Sequence, residues 1–330
     1  MRTQQQMPID SGFTAESTAD DVLGGIELDG KVALVTGGYS GLGLETTRAL
    51  VKSGVKVLVP ARRPEIARAR LGGLEGATVV PMDLADLASV RVAGDQLRQA
   101  EAKLDIVVAA AGVMASPERR VGPGWESQFA INHLGHFVLI NLLRPLLSNA
   151  NGGRVVSYSS AGHHLSDIRW ADMNFEQDYD RWLAYGQSKT ANVLFTAHLD
   201  ATAKSEGIRA FSLHPGAIIT DLQRDMTVAE QIERGWIDKE GNIVGPGFKT
   251  PSQGAATGLW AATAPALDSR GGVYCEDCDI APLADPGGSM DDGGVREYAV
   301  DPESAERLWT VSAQITGITP REGAATAVSQ

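Results

Sequence analysis

The sequence predicts an α/β protein: a doubly wound, mostly seven-stranded parallel sheet with helices on both faces, in a single domain. Three observations carry this. Short apolar runs rich in β-branched residues alternate with longer helical segments, the pattern of a parallel sheet joined by right-handed crossovers. A glycine cluster, Gly37-Gly-Tyr-Ser-Gly41-Leu-Gly43, stands between the first apolar run and the first helix. No Pro/Ser-rich linker and no repeat divides the chain.

The elements follow in order. Residues 1–25 are rich in Gln, Ser, Thr and Asp and read as a flexible, loose or draped arm, which Phe13, Val22, Leu23 and Ile26 could pin to the surface of the 26–330 domain. Residues 31–37 form a buried strand that ends in glycine. A helix covers about 42–53. Strands at 55–60 and 77–82 alternate with helices at 64–71 and 86–102. A fourth strand spans 104–112, a long helical stretch 124–147, and a fifth strand 153–160. The amphipathic stretch 181–205 is the second long helix. Strands at 208–214 and 272–275 complete seven. Insertions lie at about 161–182 and 221–250.

In such a sheet, ligands bind beyond the carboxyl ends of the strands, where the strand order reverses. Glycines after the first strand permit a tight turn and close approach of a pyrophosphate, and the following helix offers its N-terminal N–H groups. The spacing here is Gly-x-x-x-Gly-x-Gly. Gly37, Ser40, Gly41, Leu42 and Gly43 are therefore candidate dinucleotide contacts. A carboxylate after the second strand would grip the 2′-hydroxyl of NAD(H). The chain instead has Pro60-Ala61-Arg62-Arg63, and arginine matches phosphate geometry. NADP(H) is favoured, with NAD(H) as the alternative. Asp83, with Leu84, follows the third strand and serves either an adenine amino group or a helix N-terminus.

Tyr185-Gly-Gln-Ser-Lys189 carries the chemistry. Residues four apart share one helix face. A lysine ammonium there holds a phenol partly ionised, making a general acid/base for an alcohol or carbonyl. Alone, the pair is equally a solvated helix face.

Composition sets bounds. The chain has 330 residues, with 43% hydrophobic and 21% charged, ordinary for a globular protein. A net charge of −12 argues against nucleic-acid or anionic-membrane partners. No apolar run reaches the roughly 18 residues of a membrane span. The polar residues 1–17 lack a signal core, and two cysteines make no disulfide framework, so a cytoplasmic setting is expected. Cys275-Glu-Asp-Cys278 is half a zinc site, and no histidine falls in a ligand pattern, so no metal is expected.

Several signals fall in order on the one chain: the glycine cluster, Asp83-Leu84, Ala109-Ala-Ala-Gly112, Asn132, Ser159-Ser160, Tyr185-x-x-x-Lys189, and Pro215-Gly216 with Ile218 and Thr220. Together they resemble the short-chain dehydrogenase/reductase family over about 31–280, and so a Rossmann fold. Phe129-Ala-Ile-Asn-His-Leu-Gly-His-Phe137 and Val156-Ser-Tyr-Ser-Ser-Ala-Gly-His163 are similar to its retinol-dehydrogenase-like branch, which includes protochlorophyllide-reductase-like members. The resemblance implies that Tyr185 is the acid/base and that Lys189 lowers its pKa and holds the nicotinamide ribose. It implies that Ser160 binds the substrate oxygen and that Asn132 anchors a water in a relay to Lys189. Ala110, Gly112, Pro215, Gly216, Ile218 and Thr220 are implied cofactor contacts. Where the family has Asn-Asn-Ala-Gly, this chain has Ala109-Ala-Ala-Gly112, which leaves local hydrogen bonding open.

The expected activity is hydride transfer between NADP(H) and a bulky hydrophobic alcohol or ketone, retinoid-, steroid- or aromatic-like. Leu165, Ile168, Trp170, Met173 and Phe175 form one expected wall. Met226, Val228, Ile232, Trp236, Ile237 and Phe248, among glycine hinges, form the other. Rival readings are a carbon–carbon double-bond reductase and a dinucleotide-binding sensor or scaffold without turnover. Homo-oligomerisation through the two long helices is open.

Overall fold

The computed structural model describes residues 6–319. In chain order the elements are α1 (Ala19–Leu23), β1 (Val32–Thr36), α2 (Gly41–Lys52), β2 (Lys56–Ala61), α3 (Pro64–Arg70), β3 (Ala77–Pro81), α4 (Leu87–Ala100) and β4 (Ile106–Ala109). A small hairpin follows, β5 (Arg120–Val121) with β6 (Trp125–Glu126), then α5 (Ser127–Phe129) and α6 (Gly135–Asn149). β7 (Gly153–Tyr158), α7 (Arg181–Ala203), β8 (Ile208–Leu213), α8 (Val228–Glu233), α9 (Pro251–Thr263), β9 (Val273–Glu276), β10 (Asp279–Ile280) and α10 (Pro302–Thr316) complete it.

The sheet order is β10-β9-β8-β7-β4-β1-β2-β3. All pairings are parallel except β10 with β9. The seven expected strands are present, and β10 is an eighth, two residues long, below the length at which alternation is legible. β1 sits between β2 and β4, so the chain reverses its direction of travel across the sheet there, and a crevice opens at the carboxyl ends of β1 and β4. β1, β4 and β7 are almost wholly buried, which is why they read as unbroken apolar runs.

Helix starts follow local chemistry. The Asp180 carboxylate caps α7 through the N–H groups of Trp182 and Leu183. Thr250 and Gln253 form a capping box on α9, with Pro251 in its first turn. The stretch expected as one helix from 124 begins later. Gly122 and Gly124, both at positive φ, turn the β5–β6 hairpin, and the buried Glu126 carboxylate then caps α5 through Gln128 and Phe129. Residues 130–134 form one π-helical turn in which Gly135 N–H reaches back to Ala130.

Residues 6–25 are draped over the body. The Gln6 amide donates to the carbonyls of Tyr274 (2.8 Å) and Ala281 (2.6 Å) and accepts from Tyr274 N–H (3.0 Å). Three bonds on one buried amide complete the edge of β9, and Val22 and Leu23 enter the core beside α9.

The two long helices are α6 and α7, and α10 of the same chain lies on them. Trp309 stacks on Phe195 at 5.7 Å and meets Phe137 edge-on at 4.9 Å. His133 bonds Ser312 Oγ at 2.8 Å. The two long helices considered above for pairing of copies are thus engaged within the chain at Phe137 and Phe195. Trp309 is 5% exposed, and truncating such a ring removes its burial and leaves a cavity. Trp309→Ala is expected to lower unfolding free energy by about 3–5 kcal/mol in guanidinium titration, and Trp309→Phe to recover much of it. A loss within about 0.5 kcal/mol of wild type would show that α10 is dispensable for stability.

Candidate active site

The strand ends open into a cavity of about 970 Å³. Its floor is the turn after β1. Gly37 has φ +68°, and a Cβ on Gly43 would collide with the Gly37 carbonyl, so this turn can be made only as the sequence has it. Ser40, Gly41 and Leu42 complete that floor. Thr220 lies directly across it: a Cβ on Gly41 would be 3.3 Å from Thr220 Cβ. Arg62, Asp83 and Leu84 line one end. Ala110 and Gly112 line the middle, and Pro215, Gly216 and Ile218 the side under β8.

Asp83 does not cap α4; Asp86 does. Asp83 Oδ1 accepts from Ala85 N–H at 2.9 Å, holding a turn that keeps its carboxylate at the cavity wall. The Arg62 and Arg63 side chains make no ion pair or hydrogen bond among the described residues, and both residues line the cavity. A glycine cradle at a helix N-terminus beside free guanidiniums fits a phosphorylated dinucleotide.

Ser160, Tyr185 and Lys189 meet in this cavity. α7 is held on the end of β7 by two reciprocal bonds: Lys189 Nζ donates to Tyr158 O (2.9 Å), and Ser159 Oγ donates to Lys189 O (2.8 Å). Ser159 is thereby committed to structure, and Ser160 lines the cavity beside Tyr185. Ser160 accepts from Gly162 N–H at 3.0 Å. A Cβ on Gly162 would lie 2.7 Å from Tyr185 Cε1, so glycine there lets the phenol ring pack.

Tyr185 departs from expectation. Burial pushes its pKa up to about 12, while the Ser160 hydroxyl pulls it the other way. Burial outweighs the nearby Lys189, whose own pKa burial lowers to about 8 and whose Nζ donates to Tyr158 O, 5.6 Å from the Tyr185 ring centre. The phenol is held protonated, as an acid ready to serve a carbonyl oxygen.

Asn132 stands behind the cavity on the π-helical turn. Its side chain bonds Val113 twice, accepting from N–H and donating to O at 2.9 Å each, and donates to Ser188 Oγ at 2.9 Å. Its carbonyl accepts from Asn192 Nδ2 (2.8 Å) and His136 Nδ1 (3.0 Å). Both carbonyl lone pairs are engaged by protein, so only Oδ1 keeps a free acceptor position for the water expected there. Thr36 Oγ1 accepts from Ala111 N–H (3.1 Å) and bonds His136 Nε2 (2.9 Å). The sheet end that Ala109-Ala-Ala-Gly112 left open is thus tied through Thr36 and His136.

The residues around Ser160 complete the site. His163, 0% exposed, donates from Nδ1 to Ser160 O (2.7 Å) and accepts from Arg296 N–H (3.1 Å). Burial keeps it neutral, with a pKa of about 3. Its bond to the Ser160 carbonyl holds the backbone at Ser160 from behind the cavity. Met114, Arg234, Met290 and Asp291 line the cavity as well. Of the expected walls, Leu165, Trp236 and Phe248 line it. Ile168, Trp170 and Met173 instead pack with Leu308 and Leu194 behind α7, and Phe175 is buried under Arg169. Val228 is exposed, and Met226 backs Tyr185. Cys275 and Cys278 are buried free thiols, Cys278 N–H donating to Thr257 Oγ1 at 3.1 Å.

A dinucleotide cradle feeding a Ser–Tyr–Lys set defines an NAD(P)-dependent oxidoreductase acting on CH–OH groups. The chain belongs to the short-chain dehydrogenases: the family model for short chain dehydrogenase matches residues 31–231. It is 42% identical to a "Probable oxidoreductase" of Streptomyces lividans over 297 residues, 87% of this chain and 98% of that protein. It is 38% identical to the short-chain dehydrogenase/reductase prx1 of Penicillium roqueforti, covering 87% and 85%. It is 33% identical to retinol dehydrogenase 12 of Mus musculus, covering 89% and 88%, which places it on the retinol-dehydrogenase-like branch. Among solved structures, an uncharacterized protein from Mycobacterium paratuberculosis aligns with TM-score 0.70 at 30% identity, covering 92% and 98%. The Pseudomonas aeruginosa RhlG/NADP active-site complex aligns with TM-score 0.59 at 25% identity, covering 75% and 94%.

The family resemblance assigns to Lys189 the stabilisation of the charge left on Tyr185 when the phenol gives up its proton, and the ammonium is lost as pH rises through about 8. For carbonyl reduction, kcat/KM is expected to be level below about pH 8 and to fall above it. In Lys189→Arg, whose guanidinium stays charged, the fall should move beyond about pH 10 even where the plateau is lower. A wild-type profile level from pH 6 to pH 10 would assign the proton economy elsewhere.

Proposed function

We propose that this oxidoreductase is NADP(H)-dependent and interconverts an alcohol and a carbonyl in a bulky hydrophobic substrate. The single observation that carries this reading is one cavity that joins the Arg62–Arg63 end to Ser160 and Tyr185. Gly37, Gly41 and Thr220 would hold the pyrophosphate, and Arg62 and Arg63 the 2′-phosphate. When bound, the nicotinamide supplies or accepts the hydride.

The remaining steps belong to the protein. Ser160 Oγ donates a hydrogen bond to the substrate oxygen and orients it. As negative charge develops there, Tyr185 Oη delivers its proton to that oxygen. Lys189 supports the resulting phenolate. Oxidation runs the same steps in reverse, with Tyr185 taking the proton. Leu165, Trp182, Trp236 and Phe248 exclude water and favour apolar groups. The relatives named retinol dehydrogenase are consistent with a large apolar substrate.

Tyr185→Phe is expected to reduce kcat by about 10²–10⁴-fold while NADP(H) affinity stays near wild type. Unchanged turnover would sink the acid/base assignment. Arg62→Ala should weaken NADP(H) binding, measured by calorimetry, about tenfold more than NAD(H) binding. Equal losses for both cofactors would remove the 2′-phosphate from this site.

A further inference from the structure

The cavity holds a second cationic position that the dinucleotide does not account for. Arg234 follows α8 and lines the cavity. Its guanidinium lies 4.0 Å over the Trp182 ring and 5.7 Å from the Trp236 ring centre. Among the described residues it makes no ion pair and no side-chain hydrogen bond. Other arginines around it are committed: Arg181 pairs with Glu230, Arg70 with Asp221 at 2.8 Å, and Arg224 donates to Asp221 O and Gly112 O. Arg234 is exposed, so its head is reachable by a ligand entering the mouth.

Its place in the fold separates it from the cofactor phosphates. Arg62 and Arg63 follow β2, on one side of β1. Ser160 follows β7, on the other side of β1 and beyond β4. Arg234 is on that second side, one indole away from the acid: the Trp182 ring is 6.4 Å from the Tyr185 ring, edge to face. Two indole rings flank the guanidinium while its N–H groups stay unpaired, and that planar fork matches a carboxylate. Asp291, on the 288–294 loop, also lines the cavity but does not pair with Arg234, so the fork has no internal anion.

We infer that the substrate is an apolar alcohol or ketone that also carries a carboxylate, and that Arg234 binds this carboxylate while the reacting oxygen sits on Ser160 and Tyr185. Guanidinium to Trp182 and Trp182 to Tyr185 are steps of 4.0 and 6.4 Å, so the carboxylate and the reacting carbon are separated by a short aryl or alkyl spacer. The inference rests on the reading of this cavity as a dehydrogenase substrate site and names its substrate class. Arg234 sets specificity and touches no reacting atom.

The test uses the full-length enzyme with NADP(H) and a series of aryl ketones with an alkanoate arm of two to five carbons, each beside its methyl ester. Binding to the enzyme–cofactor complex is measured by calorimetry and turnover by cofactor absorbance. At least one acid should bind about tenfold or more tighter than its ester. In Arg234→Gln that preference should vanish, through KM with kcat little changed, and Arg234→Lys should keep part of it. Both variants should melt with the wild type and bind NADP(H) as it does. Equal affinity for acid and ester in wild type overturns the inference, as does an equal loss for both in Arg234→Gln, or no binding by any acid. Weakened NADP(H) binding in Arg234→Gln reassigns the residue to the cofactor and also overturns it. Turnover of esters without acid preference sinks the carboxylate alone. Tight acid binding through Arg234 without any turnover sinks the reaction and leaves the anion site standing.

Discussion

The active site depends on one buried contact, Lys189 Nζ on the carbonyl of Tyr158. Placing an ammonium in a buried site is costly, and here a charge-assisted bond to a strand-end carbonyl offsets part of that cost. The reciprocal bond from Ser159 to the Lys189 carbonyl fixes the rotation of α7 against β7. With the rotation fixed, Tyr185, one turn earlier, must face Ser160, two residues beyond the strand. The residues that hold the helix are thus interleaved with the residues that act. A shift of α7 by one residue would move Tyr185 about 100° around the helix axis and out of the cavity.

Behind this contact lies a buried polar layer centred on Asn132, in which Asn192 Oδ1 has no hydrogen-bond partner among the described residues. Asn132 ties the turn after β4 to α7 through Val113 and Ser188. His136 and Asn192 converge on its carbonyl, inside the π-helical turn. Burial keeps His136 neutral, with a pKa of about 4, and one tautomer satisfies both rings of contacts: Nδ1–H donates to Asn132 O and Nε2 accepts from Thr36. Satisfied buried networks rigidify, whereas partly satisfied ones destabilise. The alanines at 109 and 110 therefore cost the sheet end little, because its links run through side chains from β1 and α6.

What could be read from the sequence divides along physical lines. β1, β4 and β7 are buried on both faces, and their unbroken apolar runs announce them. The glycine turn after β1 is legible because no side chain fits its closest approach. Ser160, Tyr185 and Lys189 are legible through fixed spacing on a strand end and a helix. The β5–β6 hairpin and β10 are two-residue pairings with no periodicity to detect. Leu165 and Trp182 face the cavity while Ile168, Trp170 and Met173 turn away, a choice made by packing against α7 and α10 and invisible to composition. The raised pKa of Tyr185 is hidden from the sequence for the same reason. Proximity of Lys189 in sequence implied a lowered value, but burial acts on both groups and Nζ has another partner.

The charge distribution adds a last constraint. The chain carries −12 overall, yet Arg62, Arg63 and Arg234 present free guanidiniums to one cavity. At physiological salt, fields between exposed charges fade over about 8 Å, so the acidic exterior does little to a ligand already inside the mouth. Attraction of an anion is then short-ranged and depends on where these three side chains stand. Two stand at the β2 end and one beyond Tyr185, and the carbonyl chemistry lies between them. A molecule with a single anionic end would satisfy only one of these positions. A dinucleotide at the first and a carboxylated apolar substrate at the second would fill both, and would bring their reacting carbons together over Ser160 and Tyr185.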